Sequence, residues 1–189
     1  MNTKQLAFAL MMGALGNALF AISFSLGNIA PSVAIDFSLV GVIIAGFYAG
    51  PETGFVTGLI AGILPGIIFG PLGTGGALGL VGLPFGKALS GLTAGIIAGG
   101  MKFGQKPRSS LLAIPSTLLA YIPESIFTYG YFIFLLGIQA GGATFLVYIL
   151  PKALLEVIII GVLMAALLGN VGFSHFIKAH FMKMSPKQE

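Results

Sequence analysis

Six apolar runs, at about residues 5–25, 32–49, 54–69, 80–101, 110–136 and 145–168, occupy most of this 189-residue chain. A helix needs about 20 apolar residues to cross a bilayer core, and these runs are close to that length. The segments between them are too short to form a soluble domain. Only 7% of the residues are charged and 57% are hydrophobic, whereas soluble domains carry roughly 25% charge. That balance excludes a water-soluble globule, and it excludes disorder, which needs low hydrophobicity and high charge. The expected fold is an all-α membrane protein, a single domain over 1–189 built as a bundle of six transmembrane helices. The first run is too long for a typical signal-peptide core and reads as a retained helix.

Topology follows from the basic residues. Lys4, Lys102, Lys106, Arg108, Lys178, Lys183 and Lys187 all fall in one set of segments, and the opposite loops 26–31, 70–79 and 137–144 hold no Lys or Arg. The positive-inside rule then puts both termini in the cytoplasm and the protein in the cell (plasma) membrane. It also accounts for most of the net charge of +4 without a nucleic-acid partner. In the tail 170–189, Phe173, Phe176, Ile177, Phe181 and Met184 recur at helical steps. This suits a cytoplasmic amphipathic helix on the membrane surface or an extension of the sixth helix. The chain has no cysteine, and its two histidines, His175 and His180, lie in that tail. Disulfides, thiolate chemistry and a buried histidine metal site are excluded, and no cofactor is expected.

Gly54, Gly58, Gly62 and Gly66 repeat every fourth residue in the third run, as do Gly91, Gly95 and Gly99 in the fourth. Such stripes let helix backbones approach closely in lipid. Gly50-Pro51-Glu52-Thr53 reads as a tight turn with Thr53 as the N-cap of the third helix.

Five ionisable residues lie inside the runs: Asp36, Lys87, Glu124, Lys152 and Glu156. A charge at the bilayer centre costs at least about 2.5 kcal/mol, so such groups pair, face a polar cavity, or both. At about 1.5 Å per residue, Asp36 lies roughly 6 Å below the outer surface, Glu124 9 Å, Lys152 10 Å, Lys87 14 Å and Glu156 16 Å. All five therefore fall in the outer half or near the midplane. Thr117, Tyr121, Glu124, Thr128 and Tyr131 share one face of the fifth helix, and Tyr148, Lys152 and Glu156 share one face of the sixth. Pro123 and Pro151 are expected to free backbone carbonyls beside these charges. Two readings follow: a packing network of ion pairs, or an outward-facing pocket for a small polar, aromatic ligand with positive charge or both signs. Glu124 is the best candidate for ligand contact, because Lys152 and Glu156 can pair one turn apart. Lys87 is the residue placed to neutralise Glu124 across the bundle.

The chain resembles the substrate-binding S component of an energy-coupling factor (ECF) vitamin transporter. The resemblance rests on three stretches: Asp36-Phe-Ser-Leu-Val-Gly, Ala49-Gly-Pro-Glu-Thr-Gly-Phe and Ala14-Leu-Gly-Asn-Ala18. The entry from Pro31 to Asp36 is similar to that of the tryptophan-transport branch, with one more residue between proline and aspartate. The resemblance implies six helices with both ends inside, a pocket in the outer half, and lids formed by the loops 70–79 and 137–144. It also implies a small-molecule nutrient as ligand and a transmembrane coupling subunit with an ATPase pair as partners. Docking to the coupling subunit would use Ala14 and Ala18.

An enzyme is not expected. The apolar runs hold no histidine and a single aspartate, and the chain has no phosphate-binding loop for ATP. A non-transporting membrane scaffold or assembly protein of the same architecture remains an alternative, as does a small autonomous carrier. Carriers usually show internal inverted repeats, and residues 1–95 and 96–189 show no such match.

Overall fold

The computed structural model describes residues 1–30, 33–73, 75–101, 107–131 and 148–181. The loop 137–144 and the tail residues Lys183, Met184 and Lys187 lie outside these, as do Lys102 and Lys106. Helix α1 covers Thr3–Ser25, and Asn2 and Gln5 close a capping box at its start. Strands β1 (Asn28–Ala30) and β2 (Val33–Ala34) pair antiparallel. The other described elements are helical: α2 (Leu39–Ala49), α3 (Pro51–Ala61), α4 (Ile63–Phe69), α5 (Gly76–Met101), a 3-10 turn (Pro107–Leu112), α6 (Ala113–Gly130), α7 (Leu150–Gly169) and α8 (Val171–Phe181). Among the described residues, five stretches are long and apolar enough to cross a membrane: α1, α3 with α4, α5, α6 with its preceding turn, and α7. The chain is thus a multi-pass membrane protein.

The second run departs from expectation. It is not one helix from 32 to 49. Its first part is β2 and an extended segment, and only 11 residues are helical. At 1.5 Å per residue, α2 is about 16 Å long, half of a bilayer core. It occupies the bundle centre, with Leu39 through Phe47 all buried. Its start is level with the middle of α1, because a Cβ on Gly16 would lie 2.8 Å from the Ser38 carbonyl oxygen. The Ile35 carbonyl, by contrast, accepts from Ser23 Oγ near the end of α1, at 2.9 Å. Residues 35–38 therefore run about 10 Å along α1, from the level of Ser23 to that of Gly16, as non-helical backbone. Hydropathy reads Val33-Ala-Ile35 as membrane helix, yet β-branched residues fit an extended chain equally well.

The third run also divides. Pro65 has no N–H to offer the Ala61 carbonyl, and the chain breaks at Gly62 between α3 and α4. Asn17 fills the break. Its Nδ2 donates to the Ile60 carbonyl at 2.8 Å, and its Oδ1 accepts from the Leu64 N–H at 3.0 Å. In an unbroken helix those two backbone groups would bond each other. Helix α3 starts earlier than expected, at Pro51. Gly50, with φ of 89°, precedes it, and the Thr53 hydroxyl donates to the Ala49 carbonyl instead of capping the helix. Pro51 fits the first turn, where its missing N–H costs nothing. For the same reason Pro151, in the first turn of α7, breaks no helix.

The glycine stripes pack α3 and α4 against α5. A methyl group at Gly54 would overlap the Gly91 backbone, at Gly58 the Lys87 and Ala88 backbone, and at Gly62 the Pro84 backbone. Gly99 lies off this seam, with open space around it. Helix α8 is separate from α7, turning at Asn170. It packs back on the bundle end through buried Ile177, a Phe8–Phe181 ring contact of 5.0 Å, and a 2.9 Å hydrogen bond between Tyr48 and Ser174.

Replacing Gly58 by Val would force backbone against backbone, with no flexible side chain to yield. The expected cost is about 3 kcal/mol, the upper end of core overpacking. Gly99→Ala should be neutral, or stabilising by up to about 1 kcal/mol through its helix propensity. Melting of the two variants in detergent checks the difference.

Candidate functional site

The five intramembrane charges converge. Asp36 comes from the extended segment before α2, Lys87 from the middle of α5, Glu124 from α6, and Lys152 and Glu156 from the first two turns of α7. Lys87 Nζ lies 2.7 Å from Asp36 Oδ2 and 3.8 Å from Glu124 Oε1. Lys152 and Glu156 pair at 3.2 Å along α7. Backbone donors link the two halves: the Asp36 N–H donates to Glu156 Oε1 at 2.6 Å, and the Ser38 N–H donates to Asp36 Oδ1 at 2.8 Å. Ser90, one turn beyond Lys87 on α5, donates its hydroxyl to Glu124 Oε2 at 2.6 Å. Lys87, Glu124 and Glu156 are each less than 9% exposed.

The broken second helix explains this arrangement. Extended backbone inside an apolar bundle leaves N–H groups without helical partners, and each unsatisfied group costs several kcal/mol. Here carboxylates take two of them. Asp36 therefore does two jobs, bridging its own chain at Ser38 and neutralising Lys87.

The expected polar residues separate into two groups. Tyr121, one turn before Glu124 on α6, is half-buried and lines the cleft between α6 and α7. Tyr131 instead donates to the Leu78 carbonyl, and its ring covers the Gly82 backbone, so it ties α6 to α5. Thr128 packs on the Gly86 backbone. Thr117 satisfies its hydroxyl on its own helix, at the Ala113 carbonyl. Tyr148 is 52% exposed and stands outside the buried network. Two serines, Ser90 and Ser38, join the network as well. Ser90 was legible as the residue one turn from Lys87, whereas Ser38 depends on a helix start that hydropathy does not show. Ala14 and Ala18 lie on an exposed face of α1.

Between α6 and α7 lies an apolar cleft of about 270 Å³, lined by residues including Tyr121, Ile122, Ile126 and Leu154. Among the described residues, no group of three or more His, Cys, Asp or Glu side chains could hold a metal ion. Neither a family model, nor a curated protein, nor a solved structure matches the chain.

Lys87 has its shortest contact with Asp36, not Glu124. Asp36→Asn should therefore leave Lys87 with only the more distant Glu124 carboxylate and cost up to about 3–5 kcal/mol. Adding Lys87→Met should recover most of that loss. A double mutant no more stable than Asp36→Asn alone would show that Asp36 matters for its backbone bridge rather than for Lys87. Chemical or thermal unfolding in detergent distinguishes the two.

Proposed function

We propose that the chain is the substrate-binding membrane subunit of an ECF-type uptake system. It binds a small water-soluble vitamin or related nutrient at the Asp36–Lys87–Glu124–Lys152–Glu156 cluster. Separate coupling and ATPase subunits supply the energy. The observation that carries this reading is the half-length α2. Its non-helical entry segment brings backbone and charge together inside an apolar bundle. Interrupted helices whose ends meet charged groups near the membrane midplane are how transporters build substrate sites. Intramembrane ionisable residues likewise point to function by default.

The finer topology belongs to this proposal: both termini cytoplasmic, six passes with α2 counted as a half-length one, and the cluster facing outward. Ala14 and Ala18 offer a small-residue surface on which a second membrane subunit can approach closely. The scaffold reading draws on a different fact, that each lysine already has a carboxylate within 3.2 Å or less.

Three outcomes separate these. As a binding subunit, the purified chain should retain a small molecule identifiable by mass spectrometry. Reconstituted alone it should not accumulate that molecule in vesicles. Uptake by the chain alone would make it an autonomous carrier, and no retained or added nutrient binding would favour the scaffold. Ala14→Leu should keep ligand binding and abolish uptake by the assembled system. Equal loss of both would place that helix face in bundle packing.

Orientation has its own check. Leu72→Cys, at an exposed position between α4 and α5, should react with impermeant reagents only from outside. Val171→Cys, at the start of α8, should react only from the cytoplasm. The opposite pattern inverts the proposed topology.

A further inference from the structure

The cluster contains three carboxylates and two ammonium groups, and among the described residues no further cation is seen paired with it. The remaining charged residues are Lys4, Glu52, Lys102, Lys106, Arg108, Lys178, Lys183, Lys187 and Glu189. Lys4 and Glu52 begin α1 and α3, at the end of the bundle away from the cluster, where Glu52 pairs with the terminal amine at 2.8 Å. Lys102 and Lys106 follow α5 in sequence, and the last four belong to α8 or follow it. Arg108, on the 3-10 turn, precedes α6. It stands at least about 16 Å from Glu124 along the helix axis.

The deficit falls on Glu124. Asp36 has the Lys87 ammonium at 2.7 Å and a backbone N–H at 2.8 Å. Glu156 has the Lys152 ammonium at 3.2 Å and a backbone N–H at 2.6 Å. Among the described residues, Glu124 has only the neutral Ser90 hydroxyl within hydrogen-bond reach, and its nearest cation is Lys87 at 3.8 Å, which Asp36 holds more closely. An uncompensated buried carboxylate is too costly to persist, so the group takes up a proton or meets a cation. Ser38 Oγ, two residues from Asp36, is fully buried and, among the described residues, has no partner within hydrogen-bond distance. Tyr121, one turn before Glu124 on α6, adds an aromatic ring that lines the cleft between α6 and α7, and aromatic faces attract organic cations.

We infer that Glu124 is the cation-recognition residue of this site, and that the ligand is a small organic ammonium with an aromatic or heteroaromatic body, bound in exchange for a proton. The inference rests on reading the cluster as a ligand site. In the empty state Glu124 is a neutral carboxylic acid that still accepts from Ser90. When R–NH3+ binds, the O–H bond of Glu124 breaks and the proton leaves to water. The carboxylate then pairs with the ammonium, so the cluster stays neutral and one positive charge leaves for each one that enters. The groups facing Glu124 are Lys87 and Ser90 on α5, Asp36 before α2, Lys152 and Glu156 on α7, and Tyr121 on its own helix. Among them Lys87 and Lys152 are the only cations, and each already has a closer carboxylate.

Infrared spectroscopy of the purified protein near neutral pH tests this through the C=O band of a protonated carboxyl. The band should be present in the wild type, absent in Glu124→Gln and retained in Glu156→Gln. Glu124→Gln mimics the protonated acid in shape, so it should fold, and its melting temperature checks that it does. Benzylammonium chloride should bleach the band, and its apparent affinity should fall about tenfold per pH unit once the proton outcompetes it, as one proton exchanges for one cation. Sodium chloride and sodium phenylacetate at equal ionic strength should leave the band intact. The inference is overturned if the wild type shows no protonated carboxyl, if the band belongs to Glu156, if benzylammonium leaves it unchanged, or if sodium bleaches it equally well. A nutrient that binds without touching this band would sink the inference and leave the proposed uptake function standing.

Discussion

The ammonium of Lys87 is the group around which the described bundle is arranged. It sits on the middle of α5, 3% exposed, where no membrane helix can leave a charge without compensation. Its closest carboxylate is Asp36, 2.7 Å away. Asp36 belongs to the extended chain before α2, which runs inside the bundle. That extended backbone then needs acceptors of its own, and the carboxylates of Asp36 and Glu156 supply them. Charge and broken helix are thus linked. Removing the carboxylates would leave the Asp36 and Ser38 N–H groups without these acceptors.

The glycine seam makes this geometry attainable. Gly58 meets the Lys87–Ala88 backbone directly, and Gly91 meets Gly54. Side chains at those positions would push α5 away from α3 and carry Lys87 outward with it. The break between α3 and α4 belongs to the same system, since Gly62 lies against Pro84, one turn before Lys87 on α5. Asn17 holds that break from the other side, on the helix whose outer face carries Ala14 and Ala18. A single side chain therefore joins the exposed small-residue face of α1 to the wall that positions Lys87.

Much of this was legible in the chain itself. The membrane class, five of the spans, the glycine contacts and the Lys152–Glu156 pair follow from periodicity and burial cost, both local properties of a sequence. The convergence of all five charges was foreshadowed by their similar depth. What failed was local conformation inside apolar runs. Hydropathy reports how greasy a segment is, and Val33 to Ser38 is greasy enough for a helix while folding as a strand and an extended turn. The role of Asn17 was hidden because it depends on a helix break contributed by Pro65, 48 positions away in sequence. Tyr131 and Thr128 share a helix face with Glu124, yet shared face does not mean shared site. Toward the end of α6 that face meets the glycine-lined surface of α5, and packing there uses them up.

An ion cluster of this kind is not a stabilising device. Replacing buried ion pairs by well-packed apolar side chains is often neutral, or stabilising by about 1–4 kcal/mol. In lipid the case for apolar replacement is stronger still, because the alternative environment is hydrocarbon. Two complete pairs would at least cancel their own charge, and a structural network could be built from Lys87 with Asp36 and Lys152 with Glu156 alone. The fifth residue adds a third carboxylate, brings no cation with it, and is met by a serine placed one turn from Lys87. Packing accounts for the two pairs but not for the third carboxylate, and that surplus acid beside Lys87 and Ser90 is the feature on which the proposed ligand site rests.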